Sequence, residues 1–143
     1  MKFNYNSVAD TLNILFVEEK NYPELYSETI TIPIERMEES VFLDFDNQNH
    51  ILGMEILCAS QFFSKNSLNN SSITISYNKE SNVAYLRFLV SDANSLTTES
   101  FEIEKLVEFG TINIDFDENE KIFGIEILNA DKHLPESLLK KIL

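Results

Sequence analysis

The chain has 143 residues, a length that suits one compact domain or two small domains sharing a core. Because 43% of the residues are hydrophobic, with 11 Phe, five Tyr and no Trp, the composition argues against a disordered chain. Its 11 Lys and Arg against 24 Asp and Glu give a net charge of −13. This charge disfavours nucleic acids and anionic membranes as partners and favours electrostatic steering toward a basic protein, although acidity can also serve solubility alone.

The predicted elements come in pairs because the chain contains the same pattern twice. Residues 44–59 (DFDNQNHILGMEILCA) recur as 115–130 (DFDENEKIFGIEILNA), an offset of 71 residues, and nearer the start of each copy the offset becomes 72. We therefore divide the chain into a first β-rich module (1–63), a polar linker (64–72) and a second β-rich module with a C-terminal helix (73–143). One such module buries little core alone, so we expect the two to pack together about a pseudo-twofold axis.

Residues 8–19 have apolar spacing close to that of an amphipathic helix. Their counterpart 83–90 (VAYLRFLV) is rich in strand formers, and two copies of one module share a fold, so we predict strands in both. The segments 28–34 and 97–103 are predicted as the next pair of strands. Pro33 cannot donate a hydrogen bond to a sheet and so marks an edge or an end of its strand.

The repeated pattern itself predicts a hairpin in each module. In the second copy, alternation places one apolar set inward: Ile112, Ile114, Phe116, Phe123, Ile125 and Ile127. The outward set is Asn113, Asp115, Asp117, Gly124 and Glu126. Residues 134–143 have an early proline and acid, late lysines and one apolar stripe, which predicts a short helix. The fold class is thus α+β and mostly antiparallel β, with two β-meander modules and a short C-terminal helix.

The best-defined motifs resemble a known family. Residues 77–88 resemble a Y-D-x-E-x-D-A-L-Y-I-R-L opening, and residues 113–130 resemble a V-D-Y-D…V-G-I-E-I-L-x-A close. Both are similar to the bacterial domain-of-unknown-function 2283 family, here present twice and covering nearly the whole chain. The resemblance implies a small α+β fold on an antiparallel sheet and no established activity. The two aspartates of the opening are Asn78 and Asn82 in the second copy and Asn6 and Asp10 in the first, which weakens any role that needs those carboxylates.

Carboxylates form the main candidate site. The hairpin pattern places two acidic triads on outer faces, and three further glutamates form an outlying patch: Asp44, Asp46 and Glu55; Asp115, Asp117 and Glu126; and Glu35, Glu38 and Glu39. Such clusters could contact a basic partner or bind Mg²⁺ or Ca²⁺. The alternative is that they are solvated strand positions, with Asp46 and Asp117 capping their turns through their own side chains. No further element supplies metal ligands, so no metal or cofactor is predicted.

Gly53 and Gly124 lie beside these acids. A glycine inside a strand indicates either a bulge or a close approach, here by another chain or by the other module.

Cys58 follows an apolar strand and is interpreted as a small structural residue, and this single cysteine indicates a reducing compartment. His50 and His133 have no partner at a spacing typical of zinc sites or catalytic triads. We predict no enzymatic activity, because the sequence contains no clear catalytic, metal or nucleotide motif. We predict a cytoplasmic location, because the single cysteine indicates a reducing compartment and no apolar run could span a bilayer.

Two classes of function remain. The leading hypothesis is a non-enzymatic immunity or antitoxin-type protein that neutralises a basic toxin, such as a nuclease, by occlusion. The alternatives are a divalent-metal or small-ligand-binding domain and a homo-oligomerisation module. The chain is expected to be a monomer or a homodimer.

Overall fold

The computed structural model of the protein describes residues 1–32, 34–38, 40–69, 73–88, 94–103 and 110–143. In the first module, five strands are formed: β1 (Lys2–Asn6), β2 (Thr11–Leu15), β3 (Tyr26–Ile32), β4 (Val41–Asp46) and β5 (Ile51–Leu57). Its α-helices are α1 (Tyr22–Leu25), α2 (Ala59–Phe62) and α3 (Lys65–Asn69), and its 3-10 helices are Glu19–Asn21 and Glu35–Met37.

The second module also has five strands: β6 (Ile73–Asn78), β7 (Val83–Phe88), β8 (Thr97–Glu102), β9 (Thr111–Phe116) and β10 (Ile122–Leu128). Helices α4 (Ala130–His133) and α5 (Glu136–Ile142) follow them. The C-terminal helix is confirmed, since Leu138 and Leu139 are buried on one side of α5. Within the part of the chain that the structure describes, no helix is long and apolar enough to cross a membrane.

Each module is one antiparallel sheet with the same strand order. The orders are β1-β2-β5-β4-β3 and β6-β7-β10-β9-β8. In chain order, the last three strands of each module form a meander. The hairpin of the first two strands joins this meander because the second strand pairs with the fifth. This shared topology confirms the duplication and the predicted mostly antiparallel fold.

The two sheets share a single apolar core. Inward residues of both sheets and the buried side of α5 are almost completely excluded from solvent and belong to one continuous cluster. Its largest fully buried members are aromatic: Phe16, Phe45, Phe63, Phe88 and Phe116. The inner faces of the sheets therefore oppose each other, which confirms that the modules pack together, and the outer faces point in opposite directions.

Reciprocal contacts across the core follow the predicted pseudo-twofold arrangement. The hairpin turn of the second module reaches the helix of the first, where Lys121 Nζ donates a hydrogen bond to the carbonyl oxygen of Gln61 at 2.5 Å. The matching turn of the first module brings His50 near His133 at the end of α4, close enough for the two imidazoles to interact electrostatically.

The prediction for residues 8–19 was wrong in its extent. Val8 lies in a turn and is 97% exposed, and the strand covers only Thr11–Leu15. The strands β1 and β6, which precede these turns, were not recognised as separate elements. The segments predicted at 28–34 and 97–103 are the strands β3 and β8, while Pro33 lies outside the described residues. The predicted linker contains α3, in which Ser67 and Leu68 are buried.

A register shift in each hairpin changes which side chains point inward. In β10 the shift lies between Ile122 and Gly124, so Ile122 takes the buried position that alternation assigned to Phe123. Phe123 is half-buried instead, and its ring lies 5.2 Å below the guanidinium of Arg87. The extra residue of a bulge shifts the alternation by one, and this shift is invisible in the spacing of apolar residues. Ile112, Ile114, Phe116, Ile125 and Ile127 are buried as predicted.

Candidate functional site

Asp46 and Asp117 cap the hairpin turns. Asp46 Oδ1 accepts hydrogen bonds from the backbone N–H groups of Gln48 and His50, both at 2.8 Å, and Oδ2 lies 2.9 Å from His50 Nδ1. Asp117 Oδ1 accepts the matching pair from Asn119 at 2.8 Å and Lys121 at 2.9 Å. The capping interpretation of these two aspartates is therefore correct. Burial raises the pKa of Asp46, but the hydrogen bonds from His50 and Gln48 outweigh it and hold this pKa below its ordinary value.

Asp44 and Asp115 lie on the outer faces of their sheets, and each is held by one tyrosine and one threonine. In the first sheet, the hydroxyls of Tyr22 and Thr29 donate to the two oxygens of Asp44 at 2.7 and 2.5 Å. In the second, Tyr85 and Thr98 donate to Asp115 at 2.7 and 2.6 Å. Each carboxylate is thereby fixed in position by uncharged donors.

The two tyrosines come from different places in their modules. Tyr22 lies on α1, which comes between β2 and β3, whereas Tyr85 lies on the strand β7. At the position equivalent to Tyr85, the first module has Asn13. Burial, followed by the hydrogen bond to the aspartate, raises the pKa of both phenols, so both are protonated donors at neutral pH.

Glu55 and Glu126 lie beside these aspartates, one strand over. Glu55 is half-buried on β5, opposite Asn13 of β2 and Phe42 of β4. Glu126 accepts a hydrogen bond from the amide of Asn113. Each outer face thus carries a pair of carboxylates, Asp44 with Glu55 and Asp115 with Glu126. Because the outer faces point away from each other, the two pairs do not form one patch.

Gly53 and Gly124 make room for a neighbouring strand of their own sheet. A Cβ atom on Gly124 would lie 2.0 Å from the hydroxyl oxygen of Tyr85, and one on Gly53 would lie 2.9 Å from the carbonyl oxygen of Ile14. Each glycine also follows its register shift directly. Both a bulge and a close approach are therefore present, but the approaching group comes from the same module rather than from the other module or another chain.

The outlying acidic patch lies away from both pairs. Glu35 and Glu38 are exposed at the 3-10 helix Glu35–Met37, and Glu39 lies outside the described residues. Between them, Arg36 points to the second module. Its guanidinium pairs with Glu99 at 2.5 Å and lies 4.4 Å above the ring of Phe116.

Two concave sites are relevant. A groove of about 370 Å³ lies on the outer face of the first sheet, beneath the segment that carries Tyr22. It is lined by Lys2, Asn4, Asn13, Leu15, Glu19, Tyr22, Pro23 and Asp44. A second cavity, of about 430 Å³, lies where the turn between β4 and β5 meets α5. Its wall includes Phe16, Leu52 and Leu138, and its polar groups include His50 and Lys141. Sequence reasoning did not find Tyr22 or Lys141, because neither lies within the repeated pattern.

The positions of the family's opening motif have a structural role. Asp10 accepts hydrogen bonds from the backbone and hydroxyl of Ser60 at 2.9 and 2.8 Å, which connects the β1–β2 turn to the start of α2. In the second module Asn82 Oδ1 accepts from the backbone N–H of Asp131 at 3.1 Å, and its amide donates to the Asp131 carboxylate. An asparagine can replace the aspartate here because an amide oxygen accepts the same backbone hydrogen bond.

Cys58 is not placed as the sequence indicated, and His133 is buried. Cys58 is exposed and has a left-handed backbone with φ 52°, so it is not a packed structural residue. His133 is only 2% exposed, its Nε2 has no hydrogen-bond partner among the described residues, and burial lowers its pKa. No group of three or more His, Cys, Asp or Glu that could hold a metal ion occurs within the described ranges.

Comparison with known proteins identifies one family. Residues 2–60 and 74–130 each match the family model described as "Protein of unknown function (DUF2283)". These two segments span nearly all of the two sheets and end at the starts of α2 and α4. No curated protein and no solved structure matches the chain.

Proposed function

We propose that this chain, which belongs to the DUF2283 family through both of its halves, is a non-enzymatic, acidic protein-binding module of the bacterial immunity or antitoxin type. In this proposal it acts in the cytoplasm and holds a basic toxin domain, such as a nuclease, so that the toxin's own site is occluded. A strongly negative protein attracts such a partner over long distances and accelerates their association.

The observation that carries the proposal is the way the outer-face carboxylates are held. The hydrogen bonds to Asp44 come from Tyr22 and Thr29, which are uncharged, so these contacts fix the carboxylate without cancelling its negative charge. A carboxylate that is already oriented loses little further freedom when a guanidinium or ammonium group binds it. Such a group is then recognised through charge-assisted hydrogen bonds.

The first sheet is the better binding surface of the two. Its outer face contains the groove of about 370 Å³, lined by Tyr22 and Asp44. The groove also contains Lys2, but the ion pair with Glu19 neutralises the charge of Lys2 and leaves that of Asp44 for a basic side chain. The outer face of the second sheet carries an exposed cation, Arg87, beside Glu126 and Gly124. That cation would repel a basic partner. The proposed contact surface is therefore Asp44 and Glu55 with the groove beside them.

A binding experiment with matched variants tests this surface. The tagged protein is incubated at low ionic strength with lysate of its native host, and captured proteins are identified by mass spectrometry. The double variant Asp44→Asn/Glu55→Gln removes the charges of the first sheet, and Asp115→Asn/Glu126→Gln removes those of the second. We expect a basic protein to be captured by the wild type and by the second-sheet variant but at least tenfold less by the first-sheet variant.

The captured protein must also be inhibited. Expressed alone in a test strain, it should arrest growth, and coexpression of the wild-type chain should restore growth while the first-sheet variant should not. Equal capture by both double variants would exclude the first sheet as the contact surface. Capture of no basic protein under conditions that favour electrostatic association would remove the support for a toxin-neutralising role.

A small-ligand-binding function has one observation in its favour. The cavity of about 430 Å³ between the modules has an apolar wall and a few polar groups, His50 and Lys141 among them, as ligand sites commonly do. A thermal-shift screen of small metabolites checks this function, because a ligand that binds only the folded state must raise the melting temperature. Divalent-metal binding is less favoured, since Asp46 faces its own turn and the first triad then offers only Asp44 and Glu55, fewer oxygen ligands than such an ion takes.

A further inference from the structure

The outermost strands of the two sheets differ in how well they are protected. Each five-stranded sheet has two edges, β1 and β3 in the first and β6 and β8 in the second. An edge strand presents unpaired backbone groups, so it can accept a strand from another chain. Charged side chains, bulges and prolines on an edge strand prevent such pairing.

Three of the edges carry such protection. Strand β1 has Lys2, which forms an ion pair with Glu19. Strand β3 has a register shift between Tyr26 and Glu28. Strand β8 contains two glutamates, of which Glu99 pairs with Arg36.

Strand β6 carries none of these features. Its sequence, ITISYN, contains no charge and no proline, and it pairs with β7 without a register shift over all six residues. Thr74 and Ser76 are exposed on its outer side, while Ile75 and Tyr77 are half-buried on its inner side. Among the residues that the structure describes, β7 is the only strand that pairs with it.

Comparison of the two modules shows which residues make the difference. The repeat places Thr74 at the position of Lys2, and Ser76 at the position of Asn4. The lysine that protects the edge of the first sheet is thus absent from the second. Helix α5 contacts β6, and its buried Leu138 and Leu139 belong to the shared core, so the helix packs on the inner side of the sheet.

We propose that β6 is a homodimerisation edge, at which two copies of the chain pair antiparallel about a twofold axis to form a continuous ten-stranded sheet. A register centred on Ile75 sets Ile75 opposite its own copy, Thr74 opposite Ser76, and Ile73 opposite Tyr77. Every inner residue then meets an apolar neighbour and every outer residue a polar one, as residues directly opposite share a face.

Charge selects a second copy as the occupant. Two chains with a net charge of −13 repel each other, and a contact surface without charge adds no local repulsion where they meet. Strand β6 is such a surface, whereas self-pairing of β8 would bring the glutamates of two copies close together. A basic partner would gain no electrostatic attraction from an uncharged strand.

Sedimentation velocity from micromolar to millimolar protein tests the proposal. We expect a monomer–dimer equilibrium that tightens as salt is added, because salt screens the repulsion between copies. Binding of a basic partner would weaken with salt, so the two kinds of association are distinguishable. The variants Thr74→Lys and Ser76→Lys should each weaken the dimer at least tenfold. The matched variant Asn4→Lys, on the edge of the first sheet, should leave the dimer constant unchanged.

Circular dichroism melts of each variant establish that it is folded, which the exposure of Thr74 and Ser76 favours. Amide hydrogen exchange gives an independent measurement, in which β6 should become more protected as the concentration of the wild-type chain rises. A wild-type chain that stays monomeric at millimolar concentration would overturn the proposal. So would a dimer that both lysine variants leave intact.

Discussion

The substitution Gly124→Ala tests why a glycine lies inside β10. The new methyl carbon would lie 2.0 Å from the hydroxyl oxygen of Tyr85 and 2.3 Å from its Cζ atom, well inside contact distance. The clash is with the hydroxyl end of the ring, which the hydrogen bond to Asp115 holds in place. The ring must therefore leave its place over the sheet, and its hydrogen bond to Asp115 is lost.

The magnitude follows from these two losses. Forcing an extra methyl into a packed site typically costs about 1–3 kcal/mol. Losing a hydrogen bond to a charged group adds about 1.5–3 kcal/mol when the site is buried, and less here because Tyr85 and Asp115 are half-exposed. We expect Gly124→Ala to lower the free energy of unfolding by about 2–4 kcal/mol, which a protein of ordinary stability survives.

A double-mutant cycle separates the steric cause from a general effect of alanine. Tyr85→Asn introduces the residue that the first module has at this position, Asn13, and removes the ring. In that background Gly124→Ala should cost less than about 0.5 kcal/mol, giving a coupling energy of at least about 1.5 kcal/mol. Gly53→Ala is the matched control, whose cost comes from the backbone oxygen of Ile14 at 2.9 Å and is unaffected by Tyr85→Asn.

Urea unfolding followed by circular dichroism and tyrosine fluorescence provides the free energies, since the chain has no tryptophan. If Gly124→Ala costs the same with and without Tyr85, the ring is not the reason for the glycine. If it costs less than about 0.5 kcal/mol in the wild-type background, the close approach itself is refuted.

Three further substitutions test individual positions. Cys58→Asn, the residue of the second module at this left-handed position, should raise the free energy of unfolding by about 0.5–1 kcal/mol, and an unchanged or lower value would contradict the argument from φ 52°. Glu120→Gly, at φ 60°, should stabilise the folded protein by about 1 kcal/mol. The control Asn49→Gly should stabilise it less, because asparagine tolerates the left-handed conformation better than glutamate does; equal gains would contradict backbone strain at Glu120. His133→Phe, the residue of the first module, should flatten the pH dependence of stability. Burial lowers the pKa of His133 in the folded state, whereas the unfolded chain keeps the ordinary value of 6.5. As pH falls below 6.5, the unfolded chain is protonated first, so the wild type loses up to about 1.4 kcal/mol of unfolding free energy per pH unit until the lowered pKa is reached. Parallel stability–pH curves for wild type and variant would exclude this cause.

The repeat made most of the fold predictable from sequence. Two copies with one pattern gave the hairpins, their inner faces and the shared core, because alternation of apolar residues is a direct consequence of strand geometry. The bulges could not be predicted in the same way. A single extra residue at Phe123 changes the inward residue to Ile122, and both are apolar, so the sequence looks equally consistent with either.

The candidate site was only partly predictable for a related reason. Asp46 continues the outward series of β4 by spacing alone, but the chain turns there, and its carboxylate binds the backbone of the turn instead. Conversely, Tyr22 lies 22 residues from Asp44, in a short helix whose sequence is not part of the repeated pattern. Pattern reasoning finds what the copies share, and this contact belongs to one copy only.

The differences between the copies therefore bear more directly on function than their similarities. Capped turns and the Asp10 and Asn82 hydrogen bonds occur in both modules and are explained by folding. A function that acts through one face should be found where one module departs from the other. The groove beside Tyr22 is such a departure in the first module, and the uncharged edge at Thr74 is one in the second. They lie on different sheets, so one chain could bind a basic partner through its first module while its second module pairs with another copy.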